Sequence, residues 1–422
     1  MAMWFHRNVL KATVVANFDF QYIQHDVDAT KLACELKATR YKLLDMLPDP
    51  RGSGVAMEQA LTAYMAVLQG MLEAPDGSGA PSKLRHALLF KWSHSLLGTT
   101  PQIQQDAVFE AANIIVNVAI WFMKHASTLC VKEEMNMDDA KEVHTAMRRA
   151  GGLFEVVQKK FLPMLREKAR EGGDLDPRVV RAYRDQCTAE AQEVSVARAV
   201  ELKHSPSLVS ALANETAKLF HEADAALSSL DEKVSAQWRK YLQLKNHFYM
   251  AYAYTYCGEN LLSQDKCGEA IRALREAQTH YEKAAALCKE YATTKGPAPR
   301  TGRPDYFSFF KKLALRFKLT LEKCERENGF IYHQKIPTDA PDLEMKATYG
   351  LASPVEFQMP APSPLWTPVA YAAIDTPRSL PNDPATSKAA AKLEGDLKPV
   401  NEVKIEGVNT EVKSGDKDCI LQ

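Results

Sequence analysis

The feature that most restricts the fold is an apolar pattern at helical spacing that persists, with few breaks, from about residue 28 to residue 328. Leu32, Leu36, Leu43, Leu44 and Leu47 mark a first helix that stops at Pro48. Met57, Leu61, Tyr64, Met65, Leu68 and Leu72 mark a second. Leu84 to Leu97 reads as a third, Gln105 to Cys130 as a long fourth, and the stretch from Asp138 to Phe161, before Pro163, as a fifth. Beyond a loop at Gly172 and Gly173, helices are predicted over about 177–204, 206–230, 234–263, 266–292 and 305–328. Extended pieces are expected only at 10–20 and from Phe330 to Ile336, which leaves room for a small β element near the N-terminus. The fold class is therefore mostly α.

Composition removes several functions. Lys and Arg number 53 and Asp and Glu also 53, so the chain lacks the cationic excess that a nucleic-acid binder needs to displace counterions. Eight cysteines in 422 residues, without framework spacing, exclude a disulfide scaffold. His6, Arg7 and Lys11 interrupt the N-terminal apolar residues, so no signal-peptide core is expected. The most apolar run, Ala111 to Met123, contains Asn113 and Asn117 and is shorter than a bilayer span. These points predict a cytosolic protein with reduced thiols, in which Cys130, Cys187, Cys257, Cys288 and Cys324 fill helix interfaces. His221-Glu222-Ala223-Asp224-Ala225 lacks the second His of a zinc protease motif. With no Cys-x-x-Cys and no glycine-rich phosphate loop, neither catalytic residues nor a metal or cofactor is expected.

Composition changes near Pro337: eleven of the 22 prolines lie from there to the end. Leu343, Tyr349, Leu351, Phe357, Leu365, Trp366 and Tyr371 still offer apolar anchors, so residues 337–375 are expected to lie along a helical surface. Residues 376–418 lose aromatics and are expected to be a flexible polar tail. Residues 419–422, Cys419-Ile420-Leu421-Gln422, fit a prenylation signal whose terminal Gln favours farnesyl. A protein prenyltransferase would modify Cys419, after which Ile420, Leu421 and Gln422 would be removed and the new carboxyl methylated. One lipid chain holds a membrane only marginally. Between Arg378 and Asp418 seven basic residues face eight acidic ones, so no polybasic patch assists it. The second attachment is expected to be a membrane-bound protein held by the folded part, each contact raising the effective concentration for the other.

The helix predicted from Pro206 is apolar over about half its circumference, more than one neighbour requires. Leu208, Leu212 and Leu219 form one stripe; Val209, Ala213, Thr216 and Phe220 form a second beside it. Either two helices sandwich it, or one stripe faces the core and the other an open groove for a partner helix. Residues 241–257 are apolar or aromatic nearly all round and read as a central buried helix. With Gly268, Ala270, Ala277, Tyr281 and Ala284 they suggest a tetratricopeptide-like hairpin.

Six stretches, in order, resemble the BRO domain family, the boomerang-shaped helical domain of Alix and its relatives. They are Phe90-Lys91-Trp92, Phe109-Glu110 with Asn117-Val118-Ala119, Ala189-Glu190-Ala191-Gln192-Glu193-Val194, Trp238 with Leu244-Lys245, Gly268-Glu269-Ala270, and Asn328-Gly329-Phe330-Ile331-Tyr332-His333. The resemblance implies an elongated BRO domain over 5–375 and a nonenzymatic, monomeric adaptor for the C-terminal helices of ESCRT-III subunits, the charged multivesicular body proteins. It places the helix groove at Leu208 and Leu212, with Leu219 on the same stripe. Ser195 stands where Alix has a Phe, leaving Val196 or a neighbour to fill that end. The implied location is the cytosol and the cytosolic face of membranes, endosomal or nuclear-envelope. The rival expectation is a tetratricopeptide-like scaffold for a small GTPase or a cytoskeletal partner.

Overall fold

The computed structural model describes residues 4–16, 18, 26–130, 136–296, 308–343, 347, 349–374 and 395–404. Helix α1 (Val27–Met46) packs on α2 (Gly54–Leu72). Asp26 and Ser53 start them by accepting the Ala29 and Ala56 N–H groups, donors that have no intrahelical partner. Strands β1 (Phe90–His94) and β2 (Gly98–Gln104) form an antiparallel hairpin, and Thr13 of the N-terminal segment bridges to Trp92. Helix α3 (Ala107–Cys130) follows. Among the described residues it alone is long and apolar enough to cross a membrane, yet its apolar window lies wholly inside the protein. It is the axle of the N-terminal half, contacted by α2, β1 and α4 (Met137–Val156). A π-helical turn, Val157–Phe161, leads from α4 into the short α5 (Leu162–Met164).

Helices α6 (Pro177–Glu201), α7 (Pro206–Leu227), α8 (Glu232–Leu262) and α9 (Cys267–Thr293) then stack, each on the next. Ala251, Ala270, Ala273 and Ala277 are fully buried, and their small side chains let α8 and α9 approach closely. Helix α10 (Ser308–Glu327) lies on both α8 and α9. The irregular chain after it runs back over the helices. Asn214 donates to the Leu343 carbonyl, Arg148 to that of Ser353, and the Trp366 indole to that of Val67 at 2.7 Å. It ends in α11 (Pro368–Ala373), which packs on α1.

Three expectations are corrected. Leu84 to Leu97 is not a helix: it turns and then enters β1. Phe90 and Trp92 are buried, and pairing with β2 outweighs the helix-like spacing of the leucines. The hairpin closes at Gly98, whose φ of +80° is strained for any residue with a side chain. Phe330 to Ile336 is not an extended run from its start: Asn328–Tyr332 makes a π-helical turn that ends at His333, φ +49°. The Asn328 side chain enforces this by accepting from the Gln334 N–H and donating to its carbonyl. Finally, part of the segment expected to be a flexible tail is ordered against the body. In residues 395–404, Leu397 N–H bonds the Thr99 carbonyl and Val403 N–H the Pro48 carbonyl.

Candidate functional site: a buried polar clamp and an apolar cavity

Polar residues inside apolar helices stand together around the N-terminal segment. Arg7 pairs with Glu190 at 2.8 Å, both buried, and Glu190 also accepts from Tyr241 and Gln186. Gln186 in turn accepts the Trp238 indole N–H. Lys11 meets Asp174 at 3.4 Å, while its backbone exchanges hydrogen bonds with the Asn117 amide. Glu110 accepts from Arg40, Tyr64 and Trp92. Burial works to raise the Asp174 carboxyl, but Lys11, His94 and Ser95 hold it well below the usual carboxylate range. His94, Ser95 and Asp174 bring nucleophile-type groups together, yet all three are buried and none lines the cavity described next. Burial likewise pushes the Cys130 and Cys187 thiols up, away from reactivity. Among the described residues no group of three or more His, Cys, Asp or Glu could hold a metal.

A cavity of about 1070 Å³ is walled by α4, α6, α7, α8, α10 and the chain at Tyr349 and Gly350. Its apolar lining includes Val196, Leu208, Leu212, Phe248, Tyr252 and Leu319. An α-helix about 10 Å across would lay roughly two turns in such a space. Its charged lining includes Lys141, Arg198, Lys312 and Arg316; Lys141 pairs with Asp138, Arg198 with Glu201 and Arg316 with Glu259. At the floor, Glu193 is bound by the Lys245 ammonium at 2.9 Å to both oxygens. Burial pushes Glu193 up to about 7 although Lys245 and Tyr249 pull it down.

Ser195, Val196, Leu208 and Leu212 all line this cavity. Leu208 and Leu212 are only 8% and 2% exposed, because α7 is indeed sandwiched between α6 and α8 and Gly350 presses on Leu212. A side chain at Gly350 would start 3.4 Å from Leu212, on a backbone with φ +80°. Leu219 does not line the cavity. Two turns beyond Leu212, and about 10 Å further along the helix, it packs half-buried against the core instead. Sequence reasoning missed Leu315 and Leu319 on α10, which are 59% and 56% exposed and line the opposite wall. A signal was present: α10 already buries Phe310, Leu313 and Phe317, so these two leucines, one turn apart, are a surplus apolar pair. Cys419, Ile420, Leu421 and Gln422 lie outside the described residues.

Residues 19–367 match the BRO1-like domain. The chain belongs to the BRO1-like domain family. It is similar to the human protein called BRO1 domain-containing protein BROX, 50% identical over 375 residues that cover 89% of this chain and 91% of the relative. A Caenorhabditis elegans homolog of that protein is 38% identical over 416 residues, 96% of each chain. The fold is that of a solved ALIX BRO1 CHMP4C complex, with a TM-score of 0.65, 20% identity, and 86% of this chain and 98% of that one covered. The elongated helical architecture expected of the family is thus present. The family motifs now have physical work: Trp92, Glu110, Asn117, Glu190 and Trp238 are all members of the clamp, and Glu193 and Lys245 form the ion pair beneath the cavity.

Proposed function

We propose that the chain is a nonenzymatic adaptor whose cavity takes the C-terminal amphipathic helix of an ESCRT-III subunit. The observation that carries this is the open apolar cavity whose walls include Leu212 and the exposed pair Leu315 and Leu319. Apolar positions one turn apart suit the i, i+4 anchors of a docked helix. The solved ALIX domain of the same fold was obtained with CHMP4C, an instance of the proposed partner class. In this reading the protein acts as a monomer, and a farnesyl group on Cys419 supplies a weak membrane attachment that the bound subunit completes. Endosomes and the nuclear envelope are the proposed membranes.

The direct test is calorimetric titration of the full chain with a panel of ESCRT-III C-terminal peptides. Saturable binding to one or more is expected; binding to none would favour the scaffold for a GTPase or cytoskeletal partner. For the anchor, Cys419→Ser should release most of the protein from cell membranes. A variant that fractionates like wild type would remove lipidation from the reading.

A further inference from the structure

Residues 395–404, which follow a stretch rich in polar residues in the sequence, are held on the body through a built site. The Glu402 carboxylate receives two donors: Lys124 Nζ at 2.7 Å and the Leu10 N–H at 3.0 Å. Lys124 sits on α3 and is 7% exposed, and among the described residues Glu402 is its ion-pair partner. A buried ammonium with no counter-charge is unfavourable, so the body presents a cation that the far end of the chain neutralises. Around this pair, Leu397 is 6% exposed and Val400 packs on the core. Two backbone bonds, Leu397 N–H to Thr99 and Val403 N–H to Pro48, fix both ends of the segment.

We propose that residues 395–404 are a strap that shortens the tether between the folded body and the lipid site, and that releasing the Glu402–Lys124 pair lengthens it. This deepens the proposed function and rests on its lipid reading. Ile374, fully buried, is the last described residue before the strap. Forty-five positions separate Ile374 from Cys419, and only fifteen separate Lys404 from it. Fully extended, these lengths reach at most about 150 Å and about 50 Å. The docked strap thus limits the anchor to within about 50 Å of Lys404, and a detached one lets the cavity reach partners farther from the membrane. Charge reversal at Glu402 sets two cations together and is the perturbation that selects the released state.

The test uses the full farnesylated chain on vesicles, comparing wild type, Glu402→Lys and Leu397→Ser. Amide hydrogen exchange reads the strap without reference to the lipid. The Leu397 and Val403 amides should exchange about tenfold or more faster in Glu402→Lys, a larger change than at the α3 amides, and the melting temperature should fall because Lys124 loses its counter-charge. Leu397→Ser should act in the same direction through lost apolar packing. Equally fast exchange in wild type would overturn the strap. Energy transfer from a dye on the body to a bilayer acceptor then reads the tether: it should drop when the strap is released. Unchanged transfer would overturn the tether even with the strap docked. A Cys419 found unmodified by mass spectrometry would overturn the lipid reading and the tether with it, leaving the exchange result to decide the strap alone.

Discussion

The surroundings of Arg7 and of Leu212 are both buried, but they are built from opposite materials. Around Arg7, charges and amides from the N-terminal segment, α3, α6 and α8 satisfy one another across distant parts of the chain. Around Leu212, apolar side chains from α7, α8 and α10 line a space that nothing among the described residues fills. Paired polar groups specify one geometry and leave little freedom, because any lost partner strands a charge in a medium of low polarity. Unfilled apolar walls specify little and invite an occupant. Gln192, two residues along α6 from Glu190, donates to the Gly350 carbonyl and accepts the Ala352 N–H, so a motif residue holds the cavity wall at Gly350 in place. Damage to the clamp should therefore appear as lost stability, and damage to the exposed wall as lost binding.

The largest effect is expected where one partner of the clamp is removed. Glu190→Ala leaves Arg7 buried without its carboxylate and should lower unfolding free energy by about 3–5 kcal/mol, measured by urea denaturation. A loss under about 1 kcal/mol, the range of exposed pairs, would erase the distinction between the regions.

Next is an acid weakness. His6 is buried between Tyr291 and Asn8, and burial lowers it from 6.5 to about 3. Between those values the unfolded chain binds a proton at His6 that the folded chain does not, so the His6 contribution to stability is complete above pH 6.5 and falls as pH drops toward 3. At pH 4 the loss from His6 should be on the order of 3 kcal/mol, offset in part in the wild type by Glu193, whose raised value favours the folded state as pH falls. Urea midpoints of wild type and His6→Asn from pH 7 to 4 check this: the variant should show a flatter profile, and parallel profiles would assign the acid response elsewhere.

The smallest pair of effects contrasts the two walls of the cavity. Leu212→Ala, at a site 2% exposed, should cost about 2 kcal/mol or more through lost packing. Leu319→Ala, 56% exposed, should change stability by no more than about 0.5 kcal/mol. Equal melting shifts would mean that Leu319 belongs to the folded core.

This contrast also separates what could be read from the sequence from what could not. Glu110, Glu190 and Glu193 are legible because a carboxylate in an apolar helix stands out, and their order along the chain carries the family resemblance. Most helix boundaries are legible for the same periodic reason, and α7 falls within a residue or so of its start at Pro206. Leu208 and Leu212 were visible as an excess of apolar arc, but their low exposure was not, because it depends on Gly350 arriving from far along the chain. β1 was hidden because its leucine-rich approach has helix-like spacing and its partner strand decides the matter. The strap was hidden more deeply. One leucine and one glutamate in a polar stretch carry no periodic signal, and their partners, Thr99 and Lys124, lie near the other end of the sequence.

The cavity's role rests most directly on a binding measurement at its exposed wall. An ESCRT-III C-terminal peptide that binds the wild-type chain should be titrated against Leu315→Asp, Leu319→Asp and the double variant, with melting curves recorded alongside. Each carboxylate would have to lose water against an apolar helix face, which should weaken binding about a hundredfold while the melting temperature stays near that of wild type. Undiminished affinity in the folded double variant would contradict the cavity as the docking site.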